Sequence, residues 1–309
     1  MKALIKRVLS KGLFKPALRG KVYIFCLHDI SPEAAPHHYN GYSTTPERFA
    51  KQVEFICKHF EVIPVSQLAN PGQLSQKKAY ACITFDDGFL SVLQVAAPLL
   101  HSMQVPFSVF INERALLENA LWCSDLVLMD DTAREAFYYA NADQSLLSLE
   151  QYRQNPVFTS ITGLQLNAPD ATTVTNRPRV YLTIDEIRRL QQQYGAEIGY
   201  HSNSHKNLAR CTGAALDAEL NPATAAVQEL LAAQPVQMFA IPFGKKTHYT
   251  PEVIKKLRQQ YALILTTSAD YNKVRTIQPP MVSRIGITNE TTPELCSIIN
   301  TGLIKKYNL

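Results

Sequence analysis

The sequence predicts an α/β protein built on a mostly parallel sheet. Three observations predict it. Short apolar runs rich in β-branched and aromatic residues alternate along the chain with amphipathic stretches of helical period. The 309 residues, 46% hydrophobic and 18% charged, supply enough apolar material for one large core. Polar side chains with chemistry to offer fall just after the apolar runs, where parallel α/β sheets and barrels build their sites.

Val22–Leu27 is the first strand candidate. Thr44-Thr45-Pro46-Glu47 then offers a cap, an early helical proline and a first-turn acid, opening a helix to about Phe60. Glu61–Val65 and Tyr80–Phe85 read as strands, Leu90–Met103 as a helix and Phe107–Ile111 as the next strand. After Glu113 the rhythm changes: residues to about 153 look helical, and 154–180 are rich in Thr, Asn, Pro and Ala without a period. Residues 113–180 are therefore an insertion in a single 22–309 domain; long irregular segments of this kind are uncommon unless functional.

The alternation then resumes. Thr183 caps a helix, with Glu186 three residues on, and Gly195 ends it before the strand Glu197–Tyr200. A helix over roughly 214–233 precedes the strand Gln237–Ile241. Thr250-Pro251-Glu252 opens another helix, the strand Ala262–Thr266 follows, and Val282–Ile287 precedes a C-terminal helix at about 292–304. No internal repeat interrupts the pattern.

Charge is uneven. Residues 1–21 hold seven of the 31 Lys and Arg and no acid, so the remainder, with all 26 Asp and Glu, is slightly negative. Leu4, Ile5, Val8 and Leu9 share one helical arc, flanked by Lys2, Lys6, Arg7 and Lys11. Such a segment is suited to peripheral contact with an anionic membrane; a solvated start that packs on the domain is the alternative. No run of about 18 apolar residues exists to span a bilayer. Nucleic-acid binding is disfavoured, because the body lacks basic patches interleaved with aromatics. Six widely spaced cysteines with no CxxC pair, and no secretory signal, point to the cytoplasm, or to the inner face of the membrane if residues 1–21 dock there.

The polar residues at strand ends carry the functional argument. His28-Asp29 follow the first strand, Asp86-Asp87-Gly88 the third, His201 and His205 the run EIGY, and Pro242-Phe243-Gly244 the run QMFAI. Two histidines four apart share a face on a short helical turn and, with a carboxylate, make a site for a divalent cation. Surface or capping histidines are the plainer reading of an isolated HxxxH. Adjacent carboxylates after a buried run weigh against it, since buried charge needs a partner. Asp87 is then the ligand, and Asp86 stands where it can take a proton from water.

Thr84-Phe85-Asp86-Asp87-Gly88 resembles the TFDDG motif of the polysaccharide deacetylases, carbohydrate esterase family four, with the nodulation-type deacetylase domain. His201-Ser202-Asn203-Ser204-His205 resembles their paired-histidine motif and Pro242-Phe243-Gly244 their third, over roughly residues 20–290. The resemblance implies a distorted (β/α)7-type barrel. It implies Asp87, His201 and His205 as ligands of a divalent metal, zinc first and Co2+, Ni2+ or Mn2+ as substitutes. Asp86 becomes the general base and an N-acetylated amino sugar the substrate, lipid- or nucleotide-linked if the work is intracellular. Backbone amides near Gly88 or Phe89 would hold the oxyanion.

Two positions depart from the family pattern. The arginine expected in the third motif is replaced by Ala240, and the late-strand histidine that serves as general acid gives way to Arg284-Ile285-Gly286-Ile287. Cys26-Leu27-His28-Asp29-Ile30 resembles the first-strand segment that carries the acid in a circularly permuted branch. That resemblance implies His28 as general acid with Asp29 orienting it, and leaves Arg284 to bind substrate or support Asp86. A deformylase of formamido sugars and a non-catalytic carbohydrate- or partner-binding relative are the other expectations.

Overall fold

The computed structural model describes residues 18–39, 41–141, 149–150, 177–268, 270–289 and 291. Seven parallel strands close into a barrel: β1 (Lys21–Leu27), β3 (Ala79–Phe85), β4 (Phe107–Ile111), β5 (Glu197–Tyr200), β6 (Met238–Ala240), β7 (Leu263–Thr267) and β9 (Met281–Gly286). β9 pairs back onto β1, through Ile24↔Arg284, and β1 pairs with β3 from Lys21↔Ala79 to Leu27↔Phe85. The expected (β/α)7-type barrel is present. Two short strands flank it away from the site: β2 (Glu61–Val62) beside the start of β3, and β8 (Asn272–Lys273) antiparallel to the start of β1.

The inside and outside of the barrel follow the period of two along each strand. Val22, Ile24, Tyr80, Cys82, Phe110, Met238, Ala240, Leu263, Leu265 and Val282 belong to one inner cluster. Their neighbours Tyr23, Phe25, Leu27, Ala81, Ile83, Val109 and Ile198 belong to the layer packed against helices. Gly199 is required by the inner packing, because a Cβ there would collide with the Phe110 ring. Continuing the inward series past the last apolar residue of each strand reaches Cys26 and His28, Asp86, Asn112, His201 and Pro242. The site is thus the polar end of the same alternation that builds the core.

Helices pack outside. α1 (Pro46–His59) starts at the Thr45 cap with Pro46 in its first turn. The helix expected over Leu90–Met103 is present from Leu90 to Ser102, with a π stretch at Val92–Ala96 inside it before α2 (Ala97–Ser102). Pro98 has no N–H to give the regular ladder, and the wider turn before it accommodates that loss. The insertion contributes α3 (Glu113–Glu118), α4 (Trp122–Leu128) and α5 (Asp131–Asn141). α6 (Ile184–Tyr194) carries the reciprocal Thr183–Glu186 capping box and ends at left-handed Gly195.

Other expectations shift for local reasons. The strand begun at Glu61 stops at Val62, and Pro64 precedes a 3₁₀ turn at Val65–Ala69. The single helix expected over 214–233 is two, α7 (Gly213–Leu220) and α8 (Ala225–Ala232), broken around Pro222. β8 went unpredicted; two residues carry no period. α9 (Pro251–Leu257) opens at Thr250 as expected. Most of the basic 1–21 segment, most of the irregular 154–180 stretch and the expected C-terminal helix lie outside the described residues. Leu18, at the end of the basic segment, is buried and Lys21 opens β1, so those last residues belong to the barrel.

Candidate active site

The C-terminal ends of the strands surround a cavity of about 530 Å3 whose walls include Cys26, His28, Asp86, Asp87, His201 and His205. Asp86 and Asp87 both reach it because the chain changes hand at once after β3: φ is 69° at Asp87 and 73° at Gly88. A regular strand would have sent the second carboxylate into the helical layer.

Asp87, His201 and His205 bring one ligand atom each to a common point. Asp87 Oδ1 lies 3.6 Å from His201 Nε2 and 3.5 Å from His205 Nε2. The two histidines do not sit on a helical turn, as their spacing predicts. They lie in a loop with left-handed residues at Ser202 (φ 72°) and His205 (φ 58°). Several groups hold that loop. Asn112 donates to the carbonyls of His201 and Ser202, Ser202 Oγ accepts from the His205 amide, and Trp122 Nε1 donates to the His205 carbonyl at 3.0 Å. Buried Glu219 accepts from both the amide and the hydroxyl of Ser204.

This donor set fits a divalent cation. His201 Nδ1 lies 2.7 Å from the Ala240 carbonyl and donates to it, which leaves Nε2 as a lone-pair donor aimed at Asp87. Asp87 Oδ1 is buried without a hydrogen-bond donor. Burial, then the neighbouring charge of Asp86, pushes the Asp87 carboxyl well above the usual carboxylate range, and burial lowers both histidines. Three acceptors sharing a dry point are costly unless a cation meets them.

Asp86 is in a different state. Arg284, fully buried on β9, grips it in a fork: Nη1 to Oδ1 at 2.6 Å and Nη2 to Oδ2 at 2.7 Å. Burial raises the Asp86 carboxyl, but Arg284 and then His201 outweigh it, and the net position is well below the ordinary range. The Cys26 thiol adds a donor to Oδ2 at 3.3 Å. Of the two roles left open for Arg284, the geometry gives the support of Asp86; the guanidinium stands behind the carboxylate and outside the cavity wall.

His28 lines the cavity, and its ring, the Cys26 sulfur and an Asp86 oxygen offer atoms within 4.8 Å of one another. Burial lowers its imidazole to about 4. Asp29 does not orient it. Fully buried, Asp29 accepts from the hydroxyls of Ser31, Ser43 and Ser91, with His37 Nε2 at 3.7 Å, and so ties down the loop after β1. The Phe89 ring is buried between Tyr42 and Tyr181, with centroids at 5.6 and 5.0 Å, and is not part of the cavity wall, so only its backbone could serve as the expected oxyanion donor. The Gly88 carbonyl accepts from Leu182, anchoring the β3 loop to the end of the insertion. Phe243 does line the cavity, its ring 4.5 Å from that of His205, whereas Pro242 is buried beneath it.

Several contributors escape sequence reasoning. Asn112, Glu219, Trp122 and Cys26 are scattered over separate elements, and only the closed barrel brings them to the ligand loops. Trp122 is among the largest fully buried side chains, so its role at the site is to hold the His205 loop. The signal that was available for Asn112 is its position, one residue past an apolar strand, like Asp86.

The chain matches the family model described as polysaccharide deacetylase over residues 73–262. A comparison with curated proteins gives no match. Among solved structures, the Streptococcus pyogenes deacetylase PplD in complex with acetate is similar with a TM-score of 0.59 at 16% identity, over 90% of this chain and 96% of that one. A de-N-acetylase from Aggregatibacter actinomycetemcomitans is similar at a TM-score of 0.59 and 16% identity, over 90% of this chain and 99% of that one. IcaB from Ammonifex degensii gives 0.56 and 16%, over 91% and 97%. These structures speak to the fold, and the matched model, spanning more than half of the sequence, to the family. The chain belongs to the polysaccharide deacetylases.

Proposed function

We propose that this protein is a metal-dependent N-deacetylase of an amino sugar, in a surface polysaccharide or in its lipid- or nucleotide-linked precursor. The observation that carries the reading is the pairing of two unlike sites in one cavity: a three-acceptor cation site beside a carboxylate locked by arginine. Asp87, His201 and His205 would hold the divalent ion, with zinc the first choice for two imidazoles and a carboxylate. When bound there, such an ion supplies Lewis acidity toward the amide carbonyl and lowers the pKa of water.

The chain's own residues do the rest. Asp86, fixed by Arg284, keeps one orientation and stays ionised, so it can accept the proton of the attacking water. His28, across the cavity wall, is the group placed to deliver a proton to the departing amine. Neutral in the free cavity, its ring gains a proton once Asp86 has taken one from water, because the two lie within reach. Phe243 and Tyr42 exclude water around the acyl group. The binding-only alternative draws on the arginine replaced by Ala240 and on the missing late-strand histidine; Arg284 held against Asp86 from β9 answers the first, and His28 in the cavity wall bears on the second.

The test is acetate release from N-acetylated sugars by metal-loaded protein, with metal content measured beside His201→Ala. About one divalent ion per chain and acetate from the wild type, both lost in the variant, support the reading. Formate from formamido sugars in place of acetate would redirect it to a deformylase, and a metal-free wild type after zinc addition would end it.

A further inference from the structure

A second hollow borders the turn that lines one edge of the catalytic cavity. The 3₁₀ turn Lys246–His248, just after the third motif, separates two hollows. Lys245, Thr247 and His248 line the cavity; Lys246, Tyr249, Lys255 and Arg258 line an open groove of about 700 Å3 along α9. Lys246, Lys255 and Arg258 are exposed, and no carboxylate is in the groove wall. Among the described residues, none of these three has an acidic partner. Lys256, one position along the same helix, does, pairing with Asp217.

Three cations on one groove wall with no carboxylate among them make a locally positive surface that attracts anions, the more so at low salt. They stand out in a body that is slightly acidic beyond residue 21. Tyr249, Pro251 and Ile254 add apolar surface to the same wall. Lys245, on the cavity side of the turn, continues the positive track from the groove to the reacting centre.

Resting on the N-deacetylase reading above, we propose that this groove binds the phosphate-bearing end of the substrate, so that the molecule deacetylated is an amino sugar carried on a diphosphate. A single carboxylate, as on a uronic acid, would answer one cation. A diphosphate carries charge and oxygens enough for two lysines and an arginine. The acetamido group then sits in the cavity while the anomeric oxygen leads over Lys245 and Lys246 into the groove. Nucleoside diphosphate sugars and lipid diphosphate sugars share this chemistry.

The experiment compares wild type with the triple variant Lys246→Ala, Lys255→Ala and Arg258→Ala. Isothermal titration uses inorganic pyrophosphate, uridine diphosphate N-acetylglucosamine, N-acetylglucosamine diphosphate on a short isoprenyl chain, and neutral tetra-N-acetylchitotetraose. The expected result is pyrophosphate binding that weakens with salt and falls at least roughly tenfold in the variant. KM for the diphosphate sugars rises similarly with kcat unchanged, and the neutral oligosaccharide is unaffected. Tighter binding of the isoprenyl compound than of the nucleotide identifies a lipid carrier, and the reverse a nucleotide. Equal pyrophosphate affinity in both proteins, or loss confined to a uronate-bearing oligosaccharide, overturns the proposal. Acetate released from the neutral oligosaccharide alone, at the same KM in both proteins, also overturns it and leaves the deacetylase reading standing. Groove binding of pyrophosphate with no acetate from any substrate does the opposite: the diphosphate site stands and the deacetylase reading falls.

Discussion

The ends of β1 and β3 lie side by side, in register at Leu27↔Phe85, and each continues into two polar residues: His28-Asp29 in one, Asp86-Asp87 in the other. On paper they are equivalent. In the fold they are not. After β3 the backbone turns left-handed at Asp87 and Gly88, and both carboxylates enter the cavity. After β1 only His28 enters it, and Asp29 is drawn into a cage of serine hydroxyls. The hand of the backbone after the strand decides whether the second of two polar residues faces the cavity or a packed loop. The neighbours sharpen the contrast: Asp86 is paired with Arg284, Asp87 Oδ1 has no hydrogen-bond donor, and Asp29 is satisfied by neutral donors.

The contrast can be broken by substitution, and the largest effect is expected at Asp86. Asp86→Asn should cut turnover by about 10²–10⁴-fold while metal content holds near wild type. It also leaves Arg284 buried without its charge partner, at about 3–5 kcal/mol in a urea titration. Full activity in this variant would remove Asp86 as base. Next is His28→Gln, which should lose about 10²–10⁴-fold in rate with metal content and stability little changed. A near wild-type rate would mean that β1 contributes no chemistry at all, and the two strand ends would differ in role altogether.

Smaller effects test the supporting groups. Trp122→Phe removes the donor to the His205 carbonyl, and a competition titration with a chelator should show metal affinity down by about 10–100-fold. Asp29→Asn should be the least damaging to chemistry: a loss of about 1–3 kcal/mol in stability from its disrupted hydroxyl partners, with kcat within roughly tenfold of wild type. A collapse in kcat with unchanged stability would put Asp29 back beside His28 as its orienting group.

How far the sequence could be read varies with the range of the interaction. Strand positions were legible, because apolar runs such as Tyr80–Phe85 and Phe107–Ile111 carry their own signal. The Thr183–Glu186 box and Gly195 marked the limits of α6 within one turn. A helix was misjudged where a proline breaks an apolar pattern, at Pro222, and periodicity did not register the π stretch before Pro98, since it does not record a missing N–H. The histidine pair shows the limit at the site: spacing placed the two residues near each other, but the helical turn assumed for them is a left-handed loop held by Asn112, Trp122 and Glu219.

By itself, then, the sequence determined the alternation of strands and helices and the polar residues that end each strand, because both are written in local periodicity and in motifs of a few residues. Tertiary structure alone decided which of those residues face one another. Arg284 reaches Asp86 only because β9 closes onto β1 and β1 onto β3, across a separation of 198 positions. Closure of the barrel converts a residue unremarkable in its own strand into the fixed partner of Asp86, and no local pattern records a contact that exists only when the last strand meets the first.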